Sequence, residues 1–206
     1  MSANSIWGEE SNLTTSLIKN TPMTGTWLNL GAGDGRYNEL LLKQGTNVLA
    51  ADIDVEALKC LYFQTPMKSL PNLSLVIFDM MDAFPIKNSA LDGIFSVGTI
   101  HLLPYKNWDM IFMEIHRTLT KGGFFFFGIS TDIVRLESKS LTQIVLPDEY
   151  QWTMKEAISK IEELLHNKFS VKWQHEGYCS PKTMVGYMNA TYLFSCRYLL
   201  TGAKKI

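Results

Sequence analysis

Cysteine is scarce in this chain, with three among 206 residues. Cys60, Cys179 and Cys196 lie far apart and form no C-x-x-C pair, so neither a disulfide framework nor a zinc cage is indicated and buried free thiols are expected. An excess of one charge is missing as well. A formal net charge of -1 gives no sign of a polyanion-binding surface or an acidic tail, so nucleic acid is not indicated as a partner. Long apolar runs are absent: "GGFFFFGIS" (122–130), the most apolar stretch, falls far short of the roughly 20 residues that cross a bilayer as a helix. It reads as a buried strand, and no membrane partner is expected. The first ten residues, "MSANSIWGEE", have neither the basic start nor the apolar core of a secretory signal, which predicts a cytoplasmic protein. Internal repeats and low-complexity segments are lacking too.

What is present is ordinary for a globular chain. With 46% apolar and 19% charged residues, the sequence is large enough to bury one substantial core, which predicts a single domain over residues 1–206. From Thr26 onward, short β-type runs alternate with amphipathic helical runs, the pattern of a parallel sheet with helices on its faces. "TWLNL" (26–30), "NVLAAD" (47–52), "LSLVIFD" (73–79), "LDGIFSV" (91–97) and "FFFFGI" (124–129) are near-continuous apolar runs, as expected of strands covered on both sides. Between them, Tyr37, Leu40 and Leu41 form a helical stripe that stops at Gly45, and a second helix starts at the N-cap Asp54 and runs through Leu58, Leu61 and Tyr62. Trp108, Ile111, Phe112, Ile115 and Leu119 mark a third helix, ended by Gly122 and Gly123. A longer helix carries Trp152, Ile158, Ile161, Leu164 and Leu165. The strand candidates "FSVKWQH" (169–175) and "YMNATYLFSCRYLL" (187–200) follow it. The stretch between these two, with Gly177, Pro181 and Gly186, suits an antiparallel hairpin better than a crossover. Residues 1–24 and 131–148 carry no clear pattern, and the second segment is long enough to be a lid or a substrate-selecting insertion.

Chemistry concentrates at "NLGAGDGR" (29–36). In a strand-loop-helix unit, glycines let the chain turn sharply and let a ligand lie against the main chain, while free N–H groups at the helix start favour an anion. The nicotinamide fingerprint needs a small third residue for close helix packing, and Arg36 stands there. Twenty-one residues after Gly31 comes Asp52, ending the second strand, where a carboxylate can accept both hydroxyl hydrogens of a ribose.

The stretch "WLNLGAGDGRYNELLLKQGTNVLAADIDVEAL" resembles the first motifs of class I S-adenosylmethionine-dependent methyltransferases: a strand, G-x-G-x-G, a helix, and an acid ending strand two. "LVIFDMMDAFPIKNSALDGIFSVGTIHLL" resembles the same family's third-strand acid, Pro-containing crossover and fourth strand, entered through Asp92. "MEIHRTLTKGGFFFFGI" is similar to the following helix, glycine turn and fifth strand. The resemblance runs from about Trp27 to Ile129. It implies a three-layer α/β/α sandwich around a mostly parallel, seven-stranded Rossmann-like sheet with an antiparallel last strand. Residues 1–24 would be an N-terminal cap segment, 26–130 a cofactor-binding half and 131–206 a substrate-side half.

The same resemblance implies S-adenosyl-L-methionine as cofactor and no metal. Asn29, Gly31, Ala32 and Gly33 would border its amino-acid part, with the dipole of the following helix favouring the carboxylate. Asp52 would hold the ribose, Ile53 the adenine face, and Asp79 and Met80 the other side of the base. Val97 and Gly98 would flank the sulfonium, since open parallel sheets bind ligands at the carboxyl ends of their strands. His101, close to that strand edge, is the candidate catalytic base for a protonated acceptor. His116 and His166 read as structural, near helix C-termini where a cation is favoured, and His175 ends a strand candidate. Trp7, Tyr105 and Tyr178 are candidates for an acceptor pocket, with a small molecule as the expected acceptor. An RNA or protein methyltransferase, a nicotinamide oxidoreductase and a catalytically silent relative remain open at this point. Salt-sensitive RNA binding, titration with reduced nicotinamide and calorimetry with S-adenosylmethionine discriminate among them.

Overall fold

The computed structural model describes residues 11–44, 46–145, 150–185 and 191–206, and the side chains of all of these except Val185. Trp7, Gly45, Gly186 and the first four residues of the 187–200 strand candidate lie outside them. Seven strands form one sheet in the order β3-β2-β1-β4-β5-β7-β6. They are β1 (Thr26–Leu30), β2 (Asn47–Asp52), β3 (Leu73–Ile77), β4 (Leu91–Val97), β5 (Leu119–Glu137), β6 (Phe169–Val185) and β7 (Thr191–Lys205). The first five run parallel, and β7 is antiparallel to both β5 and β6. The expected mixed sheet with its reversed last strand is therefore present.

The run Phe124–Phe127 shows why the central strands read as continuous apolar stretches. Phe125 and Phe127 pack on one face with Leu28, Leu30 and Ile94, against helices α4 (Trp108–Thr118) and α5 (Met154–Leu165). Phe124 and Phe126 pack on the other with Trp27, Val48 and Phe95, against α1 (Asn12–Asn20) and α2 (Asn38–Lys43). On that second side α3 (Val55–Gln64) sets Leu58 and Leu61 on Ala32 and Ala50. Burial on both faces favours apolar residues at successive positions. Trp108, Ile111, Phe112 and Ile115 are fully buried, and by area each stabilises the fold by up to about 1.5–3 kcal/mol.

Several boundaries differ from the sequence reading. The third helix ends at Thr118, so Leu119 opens β5 and the Gly122-Gly123 pair lies inside that strand. Strand β5 continues to Glu137, so the start of the 131–148 segment is strand rather than lid. A register shift between Thr131 and Val134, with Asp132 at φ 47, bends it there. The Asp132 carboxylate accepts from the N–H of Met154, the first residue of α5, at 3.2 Å. Trp152 precedes α5, whose N-terminus is a capping box between Thr153 and Glu156. Tyr62 is 45% exposed and so leaves the buried stripe of α3. Cys60 is exposed, against the expectation of buried thiols, whereas Cys196 is buried. Among the described residues no helix is long and apolar enough to cross a membrane.

Candidate active site

Strand order reverses between β1 and β4: from β1 the chain first builds outward to β2 and β3, then returns to β4 on its other side. At such a switch point the loops leaving the two strands diverge to opposite faces and open a crevice at their carboxyl ends. Here those loops are residues 31–37 and 98–104, so the glycine run stands where the topology makes a crevice.

The loop after β1 is stitched to the end of β2. Gly31 and Ala32 both donate their N–H to Ala51 O at 2.9 Å, and Gly33 donates to Asp52 Oδ2 at 2.7 Å. Asp54 N–H reaches Asp52 Oδ1 at 3.0 Å. Each oxygen of Asp52 thus holds one backbone donor and keeps a further lone pair. Asp54 is the N-cap of α3 as expected, accepting from Glu56 and Ala57. Asp79 and Met80 follow β3, whose Ile77 is the register partner of Asp52. Asp79 Oδ1 accepts from Met81 N–H at 2.8 Å, and Met80 is buried. Ile53 is 63% exposed beside this site, an apolar side chain left uncovered.

The bareness of Gly31 has an internal cause. At φ 73 it occupies the left-handed region, and a Cβ there would lie 2.5 Å from Thr99 Oγ1. Thr99, just past β4, donates its hydroxyl to Gly31 O at 3.3 Å and closes the base of the crevice. Gly98, at φ 82, donates to Gly128 O at 3.0 Å, and a Cβ on it would be 3.0 Å from Arg36 Nη2. Arg36 therefore reaches from the first loop to the end of β4, with its guanidinium 5.0 Å from the Tyr37 ring centroid. Asn29 is buried beneath the loop and donates to Asn38 Oδ1 at 3.4 Å. Val97, the last residue of β4, is half-buried and pairs with Gly128.

Two expectations need correction. The helix after the loop, α2, spans six residues, too short for its dipole to be a strong anion site; the cation that the structure brings to the crevice is Arg36. The C-terminus of α4 does not favour a charged His116. Burial, and then Lys205 and Lys168, hold His116 below its ordinary value, while Lys205 Nζ donates to His116 O and Leu119 O, both at 2.7 Å. Arg36 and Thr99 were missed as site residues because nothing local shows that β1 and β4 become neighbours.

His101 sits in a 3-10 turn, Ile100–Leu102, immediately after Thr99, and is 5% exposed. Tyr105 follows, 40% exposed, with Tyr150 stacked on it at 5.6 Å and Trp152 at 5.2 Å. Tyr178 lies on β6, 60% exposed. His166 is the C-cap of α5, and His175 is within β6, 5.7 Å from the Trp173 ring. The β3–β4 connection that carries Asp79 and Met80 is clamped to α4 by Arg117. Its guanidinium donates to Glu114 (2.8 and 2.7 Å), Phe84 O (3.0 Å), Ile86 O (2.8 Å) and Asn88 Oδ1 (2.7 Å). These bonds hold the Glu114 carboxyl below the usual range.

Residues 28–127 match the family model described as "Methyltransferase domain". No curated protein sequence matches the chain. The fold is similar to that of TehB from Haemophilus influenzae, with TM-score 0.67 and 16% identity over 95% of this chain. This chain spans 63% of that one. A SAM-dependent methyltransferase from Methanosarcina mazei superposes with TM-score 0.67 at 13% identity, covering 96% of this chain and 99% of its own. A third neighbour, from the conversion of a disulfide bond into a thioacetal group during echinomycin biosynthesis, has TM-score 0.67 and 15% identity over 98% of this chain and 88% of its own. The methyltransferase-domain match runs from β1 into β5, over the strands that form the crevice, and the fold as a whole is similar to that of a SAM-dependent methyltransferase.

Proposed function

We propose that this chain moves a methyl group from S-adenosyl-L-methionine to a small-molecule acceptor. Residues 26–130 form the cofactor-binding half, residues 131–206 the substrate-side half, and residues 1–24 an N-terminal cap. One arrangement carries this reading: a bare loop at the β1/β4 switch point, tied to a strand-ending carboxylate by Gly33 N–H at 2.7 Å. The donor set fits the molecule. It offers a carboxylate for hydroxyl groups, a guanidinium for a carboxylate and an uncovered apolar side chain for a base.

Asp52 uses the lone pairs left on its two oxygens to accept the ribose hydroxyls. Arg36, beside Gly98, pairs with the amino-acid carboxylate, and Asn29 with Gly31, Ala32 and Gly33 borders the amino-acid portion. Ile53 covers one side of the adenine, Met80 the other, and Asp79 accepts from the exocyclic amine. Val97 and Gly98 line the reacting end. When bound, S-adenosyl-L-methionine supplies an electrophilic methyl group on a sulfonium whose displacement leaves a neutral thioether. The chain's contribution is orientation and exclusion of water, which can account for much of the acceleration of an in-line transfer. His101 takes the proton of an acceptor that is protonated at working pH. The small-molecule acceptor is supported by the near-neutral charge, by the exposed Tyr105 beside the His101 turn and by the neighbour from echinomycin biosynthesis.

Calorimetry with S-adenosylmethionine tests the cofactor site. Micromolar-scale binding is expected, weakened about ten- to a hundredfold in Asp52→Ala, the worth of one or more charge-assisted hydrogen bonds. Equal affinity in the variant, or no binding by the parent, overturns the assignment. Methyl-labelled cofactor added to a cell extract tests the acceptor: label in RNA or protein refutes the small-molecule reading.

A further inference from the structure

Cys179 on β6 and Cys196 on β7 are seventeen residues apart in sequence and stand directly opposite one another in the antiparallel register. Both are free thiols, Cys179 partly exposed and Cys196 buried. Residues opposed in this way have Cα atoms about 4.5–5.5 Å apart, within the about 4.4–6.8 Å that a disulfide spans. Cys179 Sγ donates to Ser180 O at 3.7 Å, and Cys179 is near enough to Cys196 to perturb its thiol. Just beyond Cys179 the register slips, between Cys179 and Lys182, and that bulge lets the local backbone adjust to a crosslink. Cys60, exposed on α3, has no such partner among the cysteines.

We propose that Cys179 and Cys196 form a redox-modification site that reacts with low-molecular-weight disulfides and closes to a cross-strand disulfide. The more accessible Cys179 reacts first. Its thiolate attacks one sulfur of the small disulfide, whose S–S bond breaks; one small thiolate leaves and takes up a proton, and a mixed disulfide remains on Cys179. Cys196 then gives up its proton and attacks the Cys179 sulfur, forming the cross-strand bond and expelling the second small thiol. In sum, two protein thiols are oxidised, one small disulfide is reduced to two thiols, and those thiols carry away both protons.

The order of attack follows from the surroundings of the two groups. Burial, followed by the neighbouring Cys179, pushes the Cys196 thiol up to about 11, so it is a poor first nucleophile. Once Cys179 is in a mixed disulfide, its sulfur is already next to Cys196, and proximity drives the second step. The closed bond ties β6 to β7 one residue from Arg197, which pairs with Glu176 on β6 and Asp132 on β5. It fastens the part of the sheet beyond the carboxyl ends of the parallel strands.

A Cys60→Ser protein treated with oxidised glutathione, then alkylated under denaturing conditions and digested, provides the test. The expected product is a linked pair of peptides containing Cys179 and Cys196, with no glutathione retained. Closing a ring of this size should raise the melting temperature by about 5–10 °C, reversed by reductant. In a Cys196→Ser variant a single glutathione should stay trapped on Cys179. In Cys179→Ser, Cys196 should remain a free thiol. Two alkylated thiols after treatment of the parent, or a separate adduct on each, overturns the site. An adduct on Cys196 in Cys179→Ser overturns the order of attack.

Discussion

Replacing Arg117 with alanine removes a side chain that joins α4 to the β3–β4 connection through several bonds at once. Two carbonyls, Phe84 O and Ile86 O, lose a charged donor, and the Glu114 carboxylate loses both hydrogen bonds of its fork. Glu114 keeps the N–H of Phe84 at 2.7 Å, so its charge is not wholly abandoned. Breaking a fully buried pair costs about 3–5 kcal/mol. The Arg117 side chain is 31% exposed against 14% for Glu114, so solvent screens part of the loss. A cost of about 2–3 kcal/mol follows. For a chain of this length that lowers the melting temperature by about 4–12 °C. Binding of S-adenosylmethionine should weaken with it, because the freed segment carries Asp79 and Met80. Arg117→Lys keeps the charge but not the planar fork and should recover only part of the stability. Thermal melts followed by circular dichroism, with calorimetry on the same samples, read both effects. An alanine variant melting within about 1 °C of the parent would refute the clamp, being smaller than the shift from 1 kcal/mol.

The same clamp has a pH signature. Glu114 is held below its ordinary value of 4.5 by Arg117, so its stabilisation is fully present above that value and is lost as pH falls through the lowered one. The melting-temperature gap between the parent and Glu114→Gln should therefore be wide near neutrality and shrink in acid; a gap independent of pH contradicts the assignment. Gly31→Ala combines a left-handed backbone with a contact on Thr99 and should cost about 1–3 kcal/mol together with most of the cofactor affinity. Unchanged melting and unchanged calorimetric binding in that variant would count against the packing described for the loop.

Where burial alone sets the residue pattern, the elements were legible. Strands β1, β2 and β4 begin and end where the mainly apolar runs do, because burial on both faces favours apolar residues at successive positions. Strand β5 was read as 124–129 and spans 119–137, since its outer part alternates buried Thr131, Ile133 and Arg135 with the exposed Asp132 and Val134. That stretch pairs, through a bulge, with a strand about sixty residues away, so the pairing is out of reach of a local pattern. Helix α1 carries no clear pattern in the sequence although Leu13, Leu17 and Ile18 share a face, for it is short, and only Ile18 and Thr14 become buried on it. Gly122 and Gly123 looked like a helix stop; Leu119 turning extended at ψ 140 ends α4 first.

The candidate site divides along the same line. Asp52 and the glycines lie in one strand-loop-helix-strand unit, so their spacing along the chain already encodes their meeting, and the structure joins them through Gly33 N–H. Arg36 and Thr99 acquire their places only when β4 inserts beside β1, a contact between residues more than sixty positions apart. Arg36 counted in the sequence as an obstacle to a dinucleotide, because a long side chain spoils close helix packing. In the fold the packing position is taken by Gly35, where a Cβ would meet Leu61 Cγ at 2.8 Å, and the guanidinium is directed to Gly98 instead. In the proposed reading that guanidinium supplies a cation for the carboxylate of S-adenosyl-L-methionine. Arg36→Ala should weaken S-adenosylmethionine about tenfold or more, the worth of a hydrogen bond to a charged group, and unchanged affinity in calorimetry would refute the pairing.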